Sequence, residues 1–109
     1  MNWMINLDES IAARTKDIPL LSMVRSVDET WPDGATCATQ EQDGEILYWS
    51  APINEVKQAR KEADFKGGLM PLIGIGKQVH ANYYEIDDEP FVSNNWSTAV
   101  VTHEMFLKG

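Results

Sequence analysis

Apolar and polar positions follow the clearest local pattern in the middle of the chain. Residues 35–40 carry small and β-branched side chains, residues 45–50 read Glu-Ile-Leu-Tyr-Trp-Ser, and Asp43-Gly44 lies between them. That pair suits the positive φ angles of a tight turn, so the pattern predicts a β-hairpin over about residues 35–50. Just upstream, Trp31-Pro32-Asp33-Gly34 has Pro second and Gly last, the chemistry of a type I turn. Side chains alternate along a strand, so Tyr48 and Trp49 face opposite ways. One of them reaches outside the core unless both faces of the sheet are covered.

Flanking segments are read by their start and stop signals. Asp8 can cap a short helix over residues 9–14, and Pro19 stops anything that runs that far. Residues 20–27 are apolar and read as a second short helix in preference to a strand. Pro52 ends the hairpin, Asn54 is placed to cap the next helix, and Ile53 to staple it. That main helix covers about residues 54–66, with Val56, Ala59 and Ala63 on its buried face, a Glu62 to Lys66 pair outside, and Gly67-Gly68 as its stop. Its stripe of small residues suits close packing on a sheet. Residues 69–75, 78–86 and 96–102 read as strands, with turns at 87–90 and 93–95. The tail at 103–107 either extends the last strand or makes a terminal turn. Helices and strands do not alternate strictly, which predicts an α+β fold: one domain over residues 1–109, a mixed or antiparallel sheet, and the main helix packed on it.

Composition changes this picture mainly through charge. With 109 residues the chain is too short for a dehydrogenase, a kinase or any two-domain enzyme. There are 17 Asp and Glu against 9 Lys and Arg, a net charge of −8. The bias is local: no Lys or Arg occurs between Ser26 and Val56, where Asp28, Glu29, Asp33, Glu41, Asp43 and Glu45 all fall. Direct nucleic-acid binding is therefore not expected, since it relies on neutralising phosphates, whereas a basic protein partner would be attracted. A single cysteine, Cys37, fits a reducing compartment. With no signal peptide or apolar span in the sequence, a cytoplasmic protein with no membrane partner is expected.

Candidate chemistry thins out on inspection. The glycine-rich run 67–77 fails as a P-loop, because Pro71 and Gln78 stand where Gly and a hydroxyl are needed, and Val79 spoils a dinucleotide fingerprint. His80, His103 and Cys37 are scattered singly, without metal-ligand spacing. The acids Glu85, Asp87, Asp88 and Glu89 match no EF-hand loop. No catalytic residue, metal or cofactor is assigned. Four tryptophans, Trp3, Trp31, Trp49 and Trp96, are a high load for this length, and an exposed indole beside the acidic hairpin would anchor an interface.

Two stretches carry a resemblance. Trp31-Pro32-Asp33-Gly34-Ala35-Thr36 with Gln42-Asp43-Gly44-Glu45 and Tyr48-Trp49, and the ending Asn95-Trp96-Ser97-Thr98-Ala99-Val100-Val101-Thr102-His103-Glu104-Met105-Phe106, resemble small accessory proteins of tailed bacteriophages. Together they cover about a third of the chain. Cys37 departs from the polar residue or histidine that usually follows Ala-Thr in that pattern. The resemblance implies an early-expressed, non-enzymatic protein in the host cytoplasm that blocks a host factor or defence protein. The residues expected to meet such a basic partner are Asp28, Glu29, Trp31, Asp33, Asp43, Glu45 and Trp49. An alternative is an oligomeric sponge for a small nucleotide signal, held by Arg60, Lys77, Gly74, Gly76 and Trp96; a virion structural or assembly role is the third.

Overall fold

The computed structural model describes residues 12–63 and 68–108. Along the chain run β1 (Arg14–Thr15), α1 (Leu20–Val27), β2 (Cys37–Gln40), β3 (Glu45–Trp49), α2 (Ile53–Glu62), α3 (Met70–Ile73), a 3-10 turn (Ile75–Lys77), β4 (Gln78–Tyr83), β5 (Glu85–Ile86), β6 (Glu89–Val92), β7 (Val101–Thr102) and α4 (His103–Lys108). The fold is α+β. An antiparallel sheet in the order β4-β3-β2-β7 adjoins a smaller sheet in the order β1-β6-β5, in which only β1 and β6 run parallel. Among the described residues no helix is long and apolar enough to cross a membrane.

The hairpin β2-β3 is the centre of the molecule because both of its faces are covered. Ala38, Ile46 and Tyr48 pack with Leu20, Met23 and Val24 of α1, while Cys37, Leu47 and Trp49 pack with Val56 and Ala59 of α2 and with Leu69. Alternation along β3 thus divides two cores. The expected helix face of Val56, Ala59 and Ala63 does lie on the sheet, and the small side chains permit the close approach.

The hairpin turn differs in kind from the expected tight pair. Gly44 alone takes a positive φ, +95°, its N–H donates to the Glu41 carbonyl at 2.9 Å, and the Glu41 N–H donates to the Glu45 carbonyl at 2.9 Å. This is a three-residue loop closed by a glycine bulge. The turn with both central residues at positive φ occurs instead at Asp87-Asp88, between β5 and β6. The Trp31-Pro32 turn is shifted by one residue: Ala35 N–H donates to the Pro32 carbonyl, with Gly34 third at φ +84°. Glycine tolerates that angle and most residues do not.

Other boundaries move for identifiable reasons. Residues 9–11 lie outside the described residues, and the end of that expected helix is strand β1. Ala13 N–H donates to the Gln42 carbonyl and Lys16 N–H to the Val92 carbonyl, so paired backbone outweighs propensity. Helix α2 starts one residue earlier than expected, behind Pro52, with no side-chain cap from Asn54 and with Ile53 partly exposed. It ends at Glu62, so Gly67-Gly68 does not stop it; Glu62 accepts from Gln58 Nε2 at 2.6 Å, and Lys66 lies outside the described residues. Residues 69–75 are not a strand. Pro71 has no N–H for a ladder but fits a first helical turn, and Leu72 and Ile73 both donate to the Leu69 carbonyl.

Residues 78–86 break at Tyr84 into β4 and β5, which belong to different sheets, and Glu89 and Pro90, expected in a loop, open β6. Of the expected strand 96–102 only Val101–Thr102 remains. Asn95 captures the rest in a turn: its carbonyl accepts from Thr98 and Ala99, while its Oδ1 accepts the Leu20 N–H at 2.9 Å at the start of α1. Thr102 Oγ1 then accepts the Met105 N–H and turns the tail into α4.

Candidate functional site

Register brings an acidic cleft together at the open end of the hairpin. Glu45 stands opposite Tyr83, so both side chains share a sheet face. The loop sets Asp43 beside them, its Oδ1 accepting the Glu45 N–H at 3.0 Å, and the step from β4 into β5 adds Glu85. A cleft of about 350 Å³ is lined here by Ala13, Arg14, Asp43, Tyr83, Glu85 and Glu89, with Arg14 Nε 3.2 Å from Glu89 Oε2. Partial burial, then Asp43 and Glu41, push the Glu45 carboxyl above its ordinary range. Burial, followed by the charges of Asp43, Glu45 and Glu85, likewise raises the phenol of Tyr83, a residue that remains 38% exposed. Negative charge crowded beside a reachable aromatic ring can accept a guanidinium or ammonium group by charge and by its ring face.

The remaining expected partner residues fare differently. Trp49 is not an exposed anchor: it is 0% exposed, and its Nε1 donates to Thr39 Oγ1 at 3.0 Å, because α2 covers that sheet face. Trp31 is half-buried and already occupied. Its Nε1 donates to the Ala35 carbonyl at 2.8 Å, and its ring stacks on His103 at 5.1 Å and meets Tyr48 edge-on at 5.7 Å. Asp28 lies at the end of α1, where its Oδ2 accepts the Tyr48 hydroxyl at 2.6 Å and its Oδ1 is 3.4 Å from both His80 Nε2 and Asn82 Nδ2. It links α1 to β3 and β4 and is not free to meet a partner. Glu29 and Asp33 are exposed in the following loop, apart from the acidic cleft's lining. Of the expected set only Asp43 lines the cleft, and Glu45 stands beside it, opposite Tyr83.

Among the alternative ligand residues, Arg60 and Trp96 come together: the guanidinium carbon is 6.0 Å from the Trp96 ring centroid. Arg60 is buried, 5% exposed, and its Nη1 donates to the Gln40 carbonyl at 2.9 Å. Burial makes its proton easier to lose than usual, an effect opposed by Glu41. It lines a cleft of about 450 Å³ with Lys57, Lys61, Ser97, Thr98 and Val100. Gly74, Gly76 and Lys77 do not join it. They form the turn into β4, where the Gly74 carbonyl accepts from Lys77 and the Lys77 carbonyl accepts from Ser50.

Tyr83, Lys57, Ser97 and Thr98 were not singled out by the sequence, and Glu85 was weighed only as one of four acids that match no EF-hand loop. A signal existed for Lys57, since 57, 60 and 61 follow the i, i+3, i+4 spacing of one helix face. Tyr83 and Glu85 needed the β3-β4 register, which no local pattern supplies. Among the described residues no group of three or more His, Cys, Asp or Glu could hold a metal ion. No protein-family model matches this chain, nor does any curated protein or solved structure.

Proposed function

We propose that this chain is a non-enzymatic binding module that docks a basic partner protein at the cleft of Asp43, Tyr83 and Glu85, with Glu45 beside it. The observation that carries the reading is the convergence of three carboxylates from separate segments around one half-exposed tyrosine. A lysine or arginine of the partner would enter the cleft, its cationic end meeting the carboxylates and its stem lying on the Tyr83 ring. The net charge of −8 would speed the encounter over a longer range. The resemblance to phage accessory proteins gives the partner a class, a host or defence protein whose blockage is the biological outcome.

Affinity capture with immobilised protein tests this. Asp43→Asn, Glu45→Gln and Glu85→Gln together remove the charge while keeping side-chain shape. The matched control carries Glu55→Gln, Glu62→Gln and Glu104→Gln, all exposed and outside the cleft. Basic proteins retained at low salt by wild type and control should be lost from the cleft variant. Equal retention by all three would refute the reading.

A further inference from the structure

We propose that the cleft between α2 and residues 97–100 binds a small phosphorylated organic molecule, independently of the acidic cleft. Charge is the first argument. Lys57, Arg60 and Lys61 are three of the nine bases in a chain of net charge −8, and among the described residues no acid lines the cleft. Isolated on an otherwise acidic protein, such a concentration of positive charge is a local attractor for an anion.

Arg60 supplies the second argument. Among the described residues its Nη1 donates to the Gln40 carbonyl, Nε is buried without a partner, and the guanidinium forms no ion pair. Glu41 lies close enough to favour the charge, but its Oε2 accepts the Leu69 N–H at 3.2 Å. A buried cation with no contacting counter-charge among the described residues is an expensive arrangement, and an anion held in the cleft would relieve it. The Trp96 ring beside the guanidinium limits the orientations open to its fork.

Shape and lining narrow the ligand. A volume of about 450 Å³ lies within the range of small-molecule sites and is far too small for a macromolecular groove. Three cations and the hydroxyl of Ser97 suit a dianionic phosphate better than a single carboxylate, which would leave most of the positive charge unanswered. Val100 and the lysine stems offer apolar wall for an organic body, so free phosphate should use only part of the cleft.

Titration calorimetry with adenosine 5′-monophosphate, inorganic phosphate and adenosine as probes tests the proposal. The nucleotide should bind at about 1 mM or tighter, phosphate more weakly, and adenosine not measurably. Lys57→Ala with Lys61→Ala should weaken nucleotide binding about tenfold or more; both lysines are exposed, so the fold should survive, as circular dichroism would verify. The acidic-cleft variant above should bind the nucleotide as well as wild type, which separates this site from the protein-docking surface. Failure of both nucleotide and phosphate to bind overturns the proposal, as does unchanged binding by the lysine variant. Adenosine matching the nucleotide removes the role of phosphate, and phosphate matching it removes the organic body.

Discussion

Tyr48 shows how one side chain ties three elements together. It is fully buried, its hydroxyl donates to Asp28 at 2.6 Å, and its ring lies 5.1 Å from that of His80. Burial first, then the Asp28 carboxylate, hold the phenol far above its ordinary value. A phenol whose folded value is raised contributes stability that is complete below the unfolded value of about 10 and declines as pH rises beyond it. Tyr48→Phe removes the short donor from a part-buried carboxylate and should cost about 1–2 kcal/mol at pH 7 in urea unfolding. It should also flatten the loss of stability that wild type shows above about pH 10. A variant as stable as wild type at neutral pH would mean that Asp28 does not depend on this bond.

At the scale of elements, Gln40 joins the two sheets. Its Nε2 donates to the carbonyls of Gly44 and Phe91, each at 3.0 Å, and its Oε1 accepts the Ser93 N–H at 2.8 Å. Gln40→Leu strands one amide and two carbonyls in a buried place and should cost about 2–4 kcal/mol by denaturant unfolding. Hydrogen exchange at the Ser93 amide should quicken more than at Leu47 in the β2-β3 ladder. The same contrast between local and distant bonds explains what the sequence disclosed. The hairpin, α1 and most of α2 rest on neighbouring residues, so alternation, proline stops and small-residue spacing reveal them. Residues 12–15 take their shape from Gln42 and Val92, far away in the chain, and there propensity misleads; residues 96–99 turn on the neighbouring Ser93 and Asn95 carbonyls, and only the Asn95 side chain reaches a distant group, the Leu20 N–H. At the acidic cleft Asp43 and the neighbouring Glu45 were legible because they sit in the hairpin loop and its exit. Tyr83 and Glu85 were not, because their arrival depends on register. The misreading of Trp49 has a related cause: only the packing of α1 and α2 on opposite faces decides that both aromatics of the pair are buried.

Across the whole molecule, charge and stability pull in opposite directions. The chain carries −8, and the hairpin end holds Glu41 and Glu45, whose carboxyls are both raised by burial above the ordinary glutamate value. For a carboxyl raised in this way, the favourable contribution is complete below the unfolded value of about 4.3 and is lost as pH climbs through the folded one. At pH 7 the ionised Glu45 therefore opposes folding. Glu45→Gln should raise the Tm at pH 7, and the gain should shrink both toward pH 4 and with added salt, which screens Asp43 and Glu41 from Glu45. The same substitution should weaken capture of a basic partner, since it removes a carboxylate that faces Tyr83. Stability gained together with binding lost is the exchange expected where a surface is kept for what it meets, at the expense of the fold that carries it. If Glu45→Gln gained stability and left capture intact, the crowded carboxylates would still be destabilising, but the cleft beside them would not be where the partner docks.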